Sequence, residues 1–254
     1  MLSRFPVLVQ GLRDRRRSLL WWSLGVAVYI AIISAVWPSM QSSAGQMSSL
    51  IEQMPQAILD LMGASGYSMS TGAGYVSGEL FGFMIPIFIL VLTIGAGAGA
   101  IAGAEERGTL DLVLSHPIAR GRVLVQSAAL VVVDAVLFGA VIVVALAIAN
   151  PLADLQIGFV NLLGAVFGVV LLGIVFGWMA LTIGASTGSR GLALGLTGGL
   201  AALTYLAGNL SGLVDSLRWA KWISPFWYAT NGSPLDLGYV WWHALPLLAL
   251  AALL

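Results

Sequence analysis

Few residues in this chain have the type and spacing to do chemistry. Asp134 lies in the middle of a long apolar run, and a carboxylate at the centre of a spanning helix costs roughly 2.5 to 3.5 kcal/mol to insert. Carboxylates in such places carry ions or protons in some transporters, so Asp134 is a candidate for ion coupling; the plainer role is a hydrogen bond to a neighbouring Ser, Thr or Asn. Glu105 and Glu106 form an adjacent acidic pair, which raises the idea of a membrane hydrolase. Metal-dependent hydrolysis needs several His and acidic ligands converging at one depth, and only His116 and His243 exist. The absence of cysteine excludes disulfides, thiolate metal sites and cysteine nucleophiles. A chain that hydrolysed ATP itself would need G-x-x-x-x-G-K-[ST] to cradle the phosphates. The one lysine, Lys221, sits between Ala220 and Trp222, so the motif is missing. No catalytic residue, no metal site and no cofactor bound by this chain are expected.

The elements that position these residues are membrane helices. Hydrophobic residues make up 59% of the 254 and charged ones 9%, with a mean hydropathy of +0.96, whereas a soluble domain carries about 25% charged residues. Apolar runs at about 19 to 37, 82 to 103, 123 to 149, 158 to 185, 191 to 209 and 239 to 254 each approach the roughly 17 to 25 residues of a spanning helix. The sequence therefore predicts an all-α polytopic membrane protein with six transmembrane helices. The last run is the shortest and reaches Leu254 without a polar tail, as it would if the natural chain continued or the span were little tilted. In the third run the Val, Leu, Ile and Phe residues around Asp134 return roughly 0.3 to 0.6 kcal/mol each, enough to insert the span despite its acid.

A net charge of zero hides an asymmetry. Arg4, Arg13, Arg15, Arg16 and Arg17 precede the first run, Arg107, Arg120 and Arg122 follow the second, and Arg190 follows the fourth; the other loops hold only Arg218 and Lys221. Since Lys and Arg favour the cytoplasmic side of short loops, both termini are expected in the cytoplasm, with the chain in the cell membrane among its lipids. Charge so distributed gives no reason to expect a nucleic-acid partner. By this topology His116 and His243 lie on opposite sides. Arginine outnumbers lysine ten to one, as GC-rich bacterial coding would give.

Beside the spans, Phe5, Leu8, Val9 and Leu12 recur at helical spacing among arginines, which predicts an amphipathic interfacial helix over residues 1–18 ahead of a membrane domain at 19–254. Trp21, Trp22 and Trp37 read as interfacial anchors at the two ends of the first span. Met47, Leu50, Ile51, Met54, Ile58, Leu61 and Met62 suggest a short helix on the outer leaflet, interrupted by Pro55. The four-residue spacing of Gly95, Gly99 and Gly103, of Gly191, Gly195 and Gly199, and of the pairs Gly164 and Gly168, Gly173 and Gly177 predicts close helix packing, within one subunit or between two. Aromatic residues from Trp219 to Tyr228 around Ser224-Pro225 predict short re-entrant helices before the last span.

After the second run comes Glu105-Glu106-Arg107-Gly108-Thr109-Leu110-Asp111-Leu112-Val113-Leu114-Ser115-His116-Pro117. Gly108 permits a turn, residues 109–115 can form a short helix with Leu110, Val113 and Leu114 on one face, and Pro117 ends it. Such a helix between two spans is either a docking element for a soluble partner or a plain connecting loop.

Here the chain resembles the permease subunits of type-2 ABC exporters. Glu106, Gly108, Thr109, Leu110, Leu112, Leu114 and Pro117 match that family's segment in place, and Ser224-Pro225-Phe226-Trp227 matches its Ser-Pro-Phe stretch before the last span. The elbow helix, six spans and large first outer loop fit as well. The resemblance implies that residues 104–120 hold a coupling helix fitting a cleft on a separate ATPase subunit. It implies a permease dimer, with a second copy or a homologue, working with two ATPase subunits that bind ATP and Mg. Asp111 replaces the usual Glu and keeps the charge. Gln126 stands where a Lys is common at the start of the third span, so the resemblance does not extend to any phosphate or headgroup contact made there. A secondary transporter using Asp134 is the competing reading, though such proteins usually show internal repeats and paired broken helices, and neither is visible here.

Overall fold

The computed structural model describes residues 6–41, 71–108, 119–211 and 215–254, and among these the chain is helical without strands. The Met47–Met62 segment and the stretch from Thr109 through Leu110, Asp111, Val113, Leu114 and Pro117 lie outside the described residues.

Five helices are long and apolar enough to cross a membrane. They are α1 (Pro6–Gln41), α2 (Gly72–Ala100), α4 (Arg120–Leu152), α5 (Phe159–Thr187) and α6 (Arg190–Leu210). The short α3 (Ala102–Glu106) continues α2 beyond a change of direction at Ile101. A 3₁₀ segment, Asp215–Trp222, leads into α7 (Pro225–Thr230), and a second, Trp241–His243, leads into α8 (Ala244–Leu253). The expected sixth span is thus an apolar helix of 10–17 residues, Trp241–Leu253, shorter than a crossing requires. The count among the described residues is five.

The first helix also differs from expectation. No break separates an interfacial helix from a span, because nothing between Pro6 and Gln41 stops a helix except the tolerated Pro38 near its end. Its 36 residues extend about 54 Å at 1.5 Å per residue, well beyond a hydrocarbon core of about 30 Å. Trp21 is exposed, but Trp37 is buried and stacks on Tyr75 with ring centroids 5.5 Å apart. Trp37 therefore fastens α1 to the start of α2 rather than facing lipid.

The core forms around α5, which packs against α2, α4, α6, α7 and α8. Its glycines explain how one helix serves so many neighbours. A Cβ at Gly164 would lie 2.6 Å from Tyr239 Cβ, one at Gly168 2.6 Å from the Ala229 carbonyl, one at Gly173 2.8 Å from Ile89, and one at Gly177 2.5 Å from Val131. Each neighbour approaches where α5 has no side chain, which is how helices associate when lipid gives no hydrophobic drive. On α2 the matching residue is Gly97, where a Cβ would collide with the Gly177 carbonyl. Gly95, Gly99, Gly195 and Gly199 face open space instead, so their spacing serves no packing within this chain.

Gly97→Leu is expected to destabilise the α2–α5 contact by more than the roughly 1 to 3 kcal/mol of ordinary overpacking, because backbone rather than a movable side chain stands in the way. Gly95→Ala and Gly99→Ala should leave the unfolding temperature in detergent unchanged or slightly higher. Equal losses in all three variants would contradict this packing.

Candidate functional site

Two constellations and one groove concentrate the polar and open features of the molecule. The first is where α2 hands over to α3. The Glu106 carboxylate accepts a hydrogen bond from the Arg190 backbone N–H at 2.8 Å, and the Ser189 hydroxyl accepts from Leu192 N at 3.4 Å. An acid at the first turn of α6 satisfies a free N–H and meets the positive end of the helix dipole. Glu105 lies over Gly188, where a Cβ would come 3.1 Å from its carboxylate. Gly188 has φ +65° and closes α5 by donating to the Gly184 carbonyl, a left-handed stop that favours glycine. The adjacent acids thus hold the turn between α5 and α6. Arg107 folds back beside Gly103, and Gly108 takes φ +65°, donating its N–H to the Glu105 carbonyl. Gly188-Ser189 is a stop-and-start signal readable in sequence; that Glu105 and Glu106 fall on it is not.

The second constellation joins α1 to α4. The Gln126 side-chain oxygen accepts from Val7 N at 3.0 Å and Leu8 N at 3.2 Å. Gly11 sits against Leu130, and Arg15 Nε donates to Asp134 Oδ2 at 2.7 Å. The pairs lie 118 or 119 positions apart in sequence and recur every four residues, so one face of α1 runs parallel to one face of α4 in fixed register. Arg15 also donates through Nη2 to the Leu92 carbonyl at 3.2 Å, drawing α2 into the same clasp. Asp134 is wholly buried, while Arg15 keeps some exposure.

These contacts explain two features of the sequence. Asp134 finds a cation on another helix rather than a Ser, Thr or Asn nearby, and Arg15 offsets the burial of its charge through Oδ2. Gln126 accepts hydrogen bonds from the start of α1, which a lysine ammonium, having only donors, could not do. Arg15 and Gln126 were not recognisable as partners, since an arginine in a basic cluster looks like a topology signal.

The groove runs between α2 and α6, with a volume of about 630 Å³, and Pro86, Leu90, Val91, Gly198, Ala202 and Tyr205 are among its lining residues. No charged side chain lines it. Its volume falls within the range of small-molecule sites, about 300 to 1,000 Å³. No group of three His, Asp or Glu residues that could hold a metal ion occurs among the described residues.

An all-helical bundle of apolar spans, with an apolar groove between two of them and polar clamps at one end, defines a multi-pass membrane protein built for translocation. The chain belongs to the ABC-2 family transporter proteins, whose family model matches residues 6–233. It is accordingly a permease subunit of an ABC-2 type transporter, a membrane translocation component rather than an enzyme, of a kind that works with ABC ATPase partners. The comparisons with curated proteins and with solved structures give no match.

Removing one member of a buried ion pair costs about 3 to 5 kcal/mol, whereas replacing both by apolar residues is far milder. Arg15→Leu or Asp134→Leu alone should therefore lower the unfolding temperature in detergent strongly, and the double variant should recover most of the loss. Simple additivity of the two losses would show that the pair does not hold α1.

Proposed function

We propose that this chain forms the translocation path of an ATP-driven exporter, driven by separate ATPase subunits through the 104–120 segment. The observation that carries the reading is the Glu106 contact with Arg190 N. At that bond α3, which follows α2, meets the start of α6, so a pull on the segment following α3 would bear on both walls of the groove. Leu110, Val113 and Leu114 would fill an apolar cleft on the ATPase, with Glu106, Arg107 and Asp111 at its rim and Thr109 and Pro117 bounding the helix. ATP and Mg would be bound by the ATPase.

The working unit is a dimer of two permease copies, or of this chain and a homologue, with two ATPase subunits. The exposed leucines Leu196 and Leu203 and the open Gly195 and Gly199 on α6 support a face for the second copy. The starts of α1, α4 and α6 and the ends of α2 and α5 form one arginine-rich end, with Arg218 and Lys221 at the other. That end is the cytoplasmic one by the positive-inside rule, with both termini on that side. Trp241–Leu253 then serves as part of a sixth span, and Asp215–Thr230 dips into the bilayer and returns. Asp134 is matched by Arg15 where α1 and α4 run side by side. An ion pair there needs no ion-coupling role.

Three measurements test this. An ATPase carrying a Walker motif should copurify with the chain in mild detergent, and its absence would sink the proposal. Burying an anchor leucine is worth about 2 to 3 kcal/mol. Leu110→Ala with Leu114→Ala should accordingly weaken that association or uncouple ATP turnover, with the permease still inserted. Single cysteines replacing Ser49, Ser115, Ser189 and Ser233 should label from outside only at the first and last; external labelling at Ser115 would reverse the orientation.

A further inference from the structure

We propose that Tyr205 is a positioning residue that latches α6 to α2 through the backbone carbonyl that Pro86 cannot serve, so that the groove opens only when this bond is released. The inference rests on the reading of the groove as the translocation path and adds its regulation.

The residues make the case in order. Pro86 has no N–H, so it cannot donate to the Gly82 carbonyl four residues before it. A free carbonyl in an apolar setting must be served by some other donor or its burial is costly. Immediately before Pro86, Ser77–Met84 winds in π-helical turns, a geometry that occurs mostly at functional positions and departs from the regular ladder. The Tyr205 hydroxyl, on α6, donates to Gly82 O at 3.3 Å. It is thus the partner that spans the groove.

The ring of Tyr205 holds the hydroxyl in place. It packs on Phe83 of α2 at 5.7 Å and edge-on against Phe226 of α7 at 5.2 Å. Phe83, Pro86, Tyr205 and Phe226 all line the groove, so the bond and the aromatic contacts close one stretch of it together. Only the hydroxyl is specific to the latch; a phenylalanine would keep the ring contacts.

This yields a thermodynamic cycle. Pro86→Ala restores an N–H that can serve Gly82 O within α2, and the Tyr205 hydroxyl then becomes redundant. The protein has no cysteine, so spin labels can be placed at Glu79→Cys on α2 and Leu200→Cys on α6, both exposed and outside the groove lining. Labelled chain diluted with unlabelled chain in nanodiscs reports the α2–α6 distance by pulsed electron resonance. Tyr205→Phe should raise the ratio of the longer to the shorter distance by about five-fold, the effect of one net hydrogen bond. In the Pro86→Ala background the same substitution should leave the ratio unchanged. No change with Tyr205→Phe, or an equal rise in both backgrounds, overturns the latch. Thermal unfolding of each variant separates opening from loss of fold, and Pro86→Ala with native Tyr205 supplies the comparison from the other helix. With the copurifying ATPase present, nucleotide that leaves the ratio fixed while the cycle holds would keep the latch and remove the export-path reading.

Discussion

Helices in lipid have no hydrophobic reason to associate, since the tails around them are as apolar as their own side chains; what they can gain is close packing and internal hydrogen bonds. The bundle therefore depends on the backbone of α5 being approachable. Gly164, Gly168, Gly173 and Gly177 occupy the places where Tyr239, Ala229, Ile89 and Val131 come against it. Substituting side chains there would push the neighbours outward. The buried large residues Phe138, Leu146, Leu172 and Phe176 fill the spaces that remain. The central helix is thus the most closely packed element, and its neighbours can move only around it.

Polar interactions do a different task. They join one element to another: Gln126 to the first turn of α1, Arg15 to Asp134 and to Leu92, Glu106 to Arg190, Ser224 to the Thr204 carbonyl. Each satisfies a backbone group or a charge whose burial would otherwise be costly. Directional bonds also fix register, which apolar packing along a glycine-rich face leaves free to slide. The α1–α4 clasp shows this most clearly. At the far end Gly72 is wedged between Trp37 of α1 and Leu155 in the turn after α4.

Most of the architecture was legible in the sequence because hydropathy and charge placement are strong, local signals. Five of the apolar runs correspond to the five long helices, and the described arginines other than Arg218 fall toward one end. What could not be read is instructive. The 1–18 boundary rested on amphipathicity, but Arg15 has a buried partner in α4, and a continuous helix is what brings it there. Trp37 looked like a lipid anchor by its type, and Tyr75 decides otherwise. The second helix begins ten residues earlier than its apolar run suggests, because Gly72–Ser77 is small and weakly hydrophobic yet buried between α1 and the turn after α4. In the 105–117 segment the motif was plain, while the use of Glu105 and Glu106 to hold the turn at 188–190 depends on how α3 leaves α2. No periodicity encodes that.

The helices are held unequally, and the inequality has a direction. Along its length α6 buries few residues, Ala193, Thr197 and Ala201, and its open glycines give it no interlocking face on this chain. Its firm attachments are at its ends. Glu106 holds its first residue, while Tyr205 and the carbonyl of Thr204 tie its other end to α2 and to the segment before α7. A helix fastened at two ends and loosely packed between them moves as a rod when either fastening shifts, because interior packing is what would otherwise resist it. By contrast α2 is interlocked with α5 through Gly97 and Gly177. On the proposed coupling, a displacement that reaches Glu106 would be taken up by α6 moving against the interlocked α2. The groove between the two is where that displacement must appear.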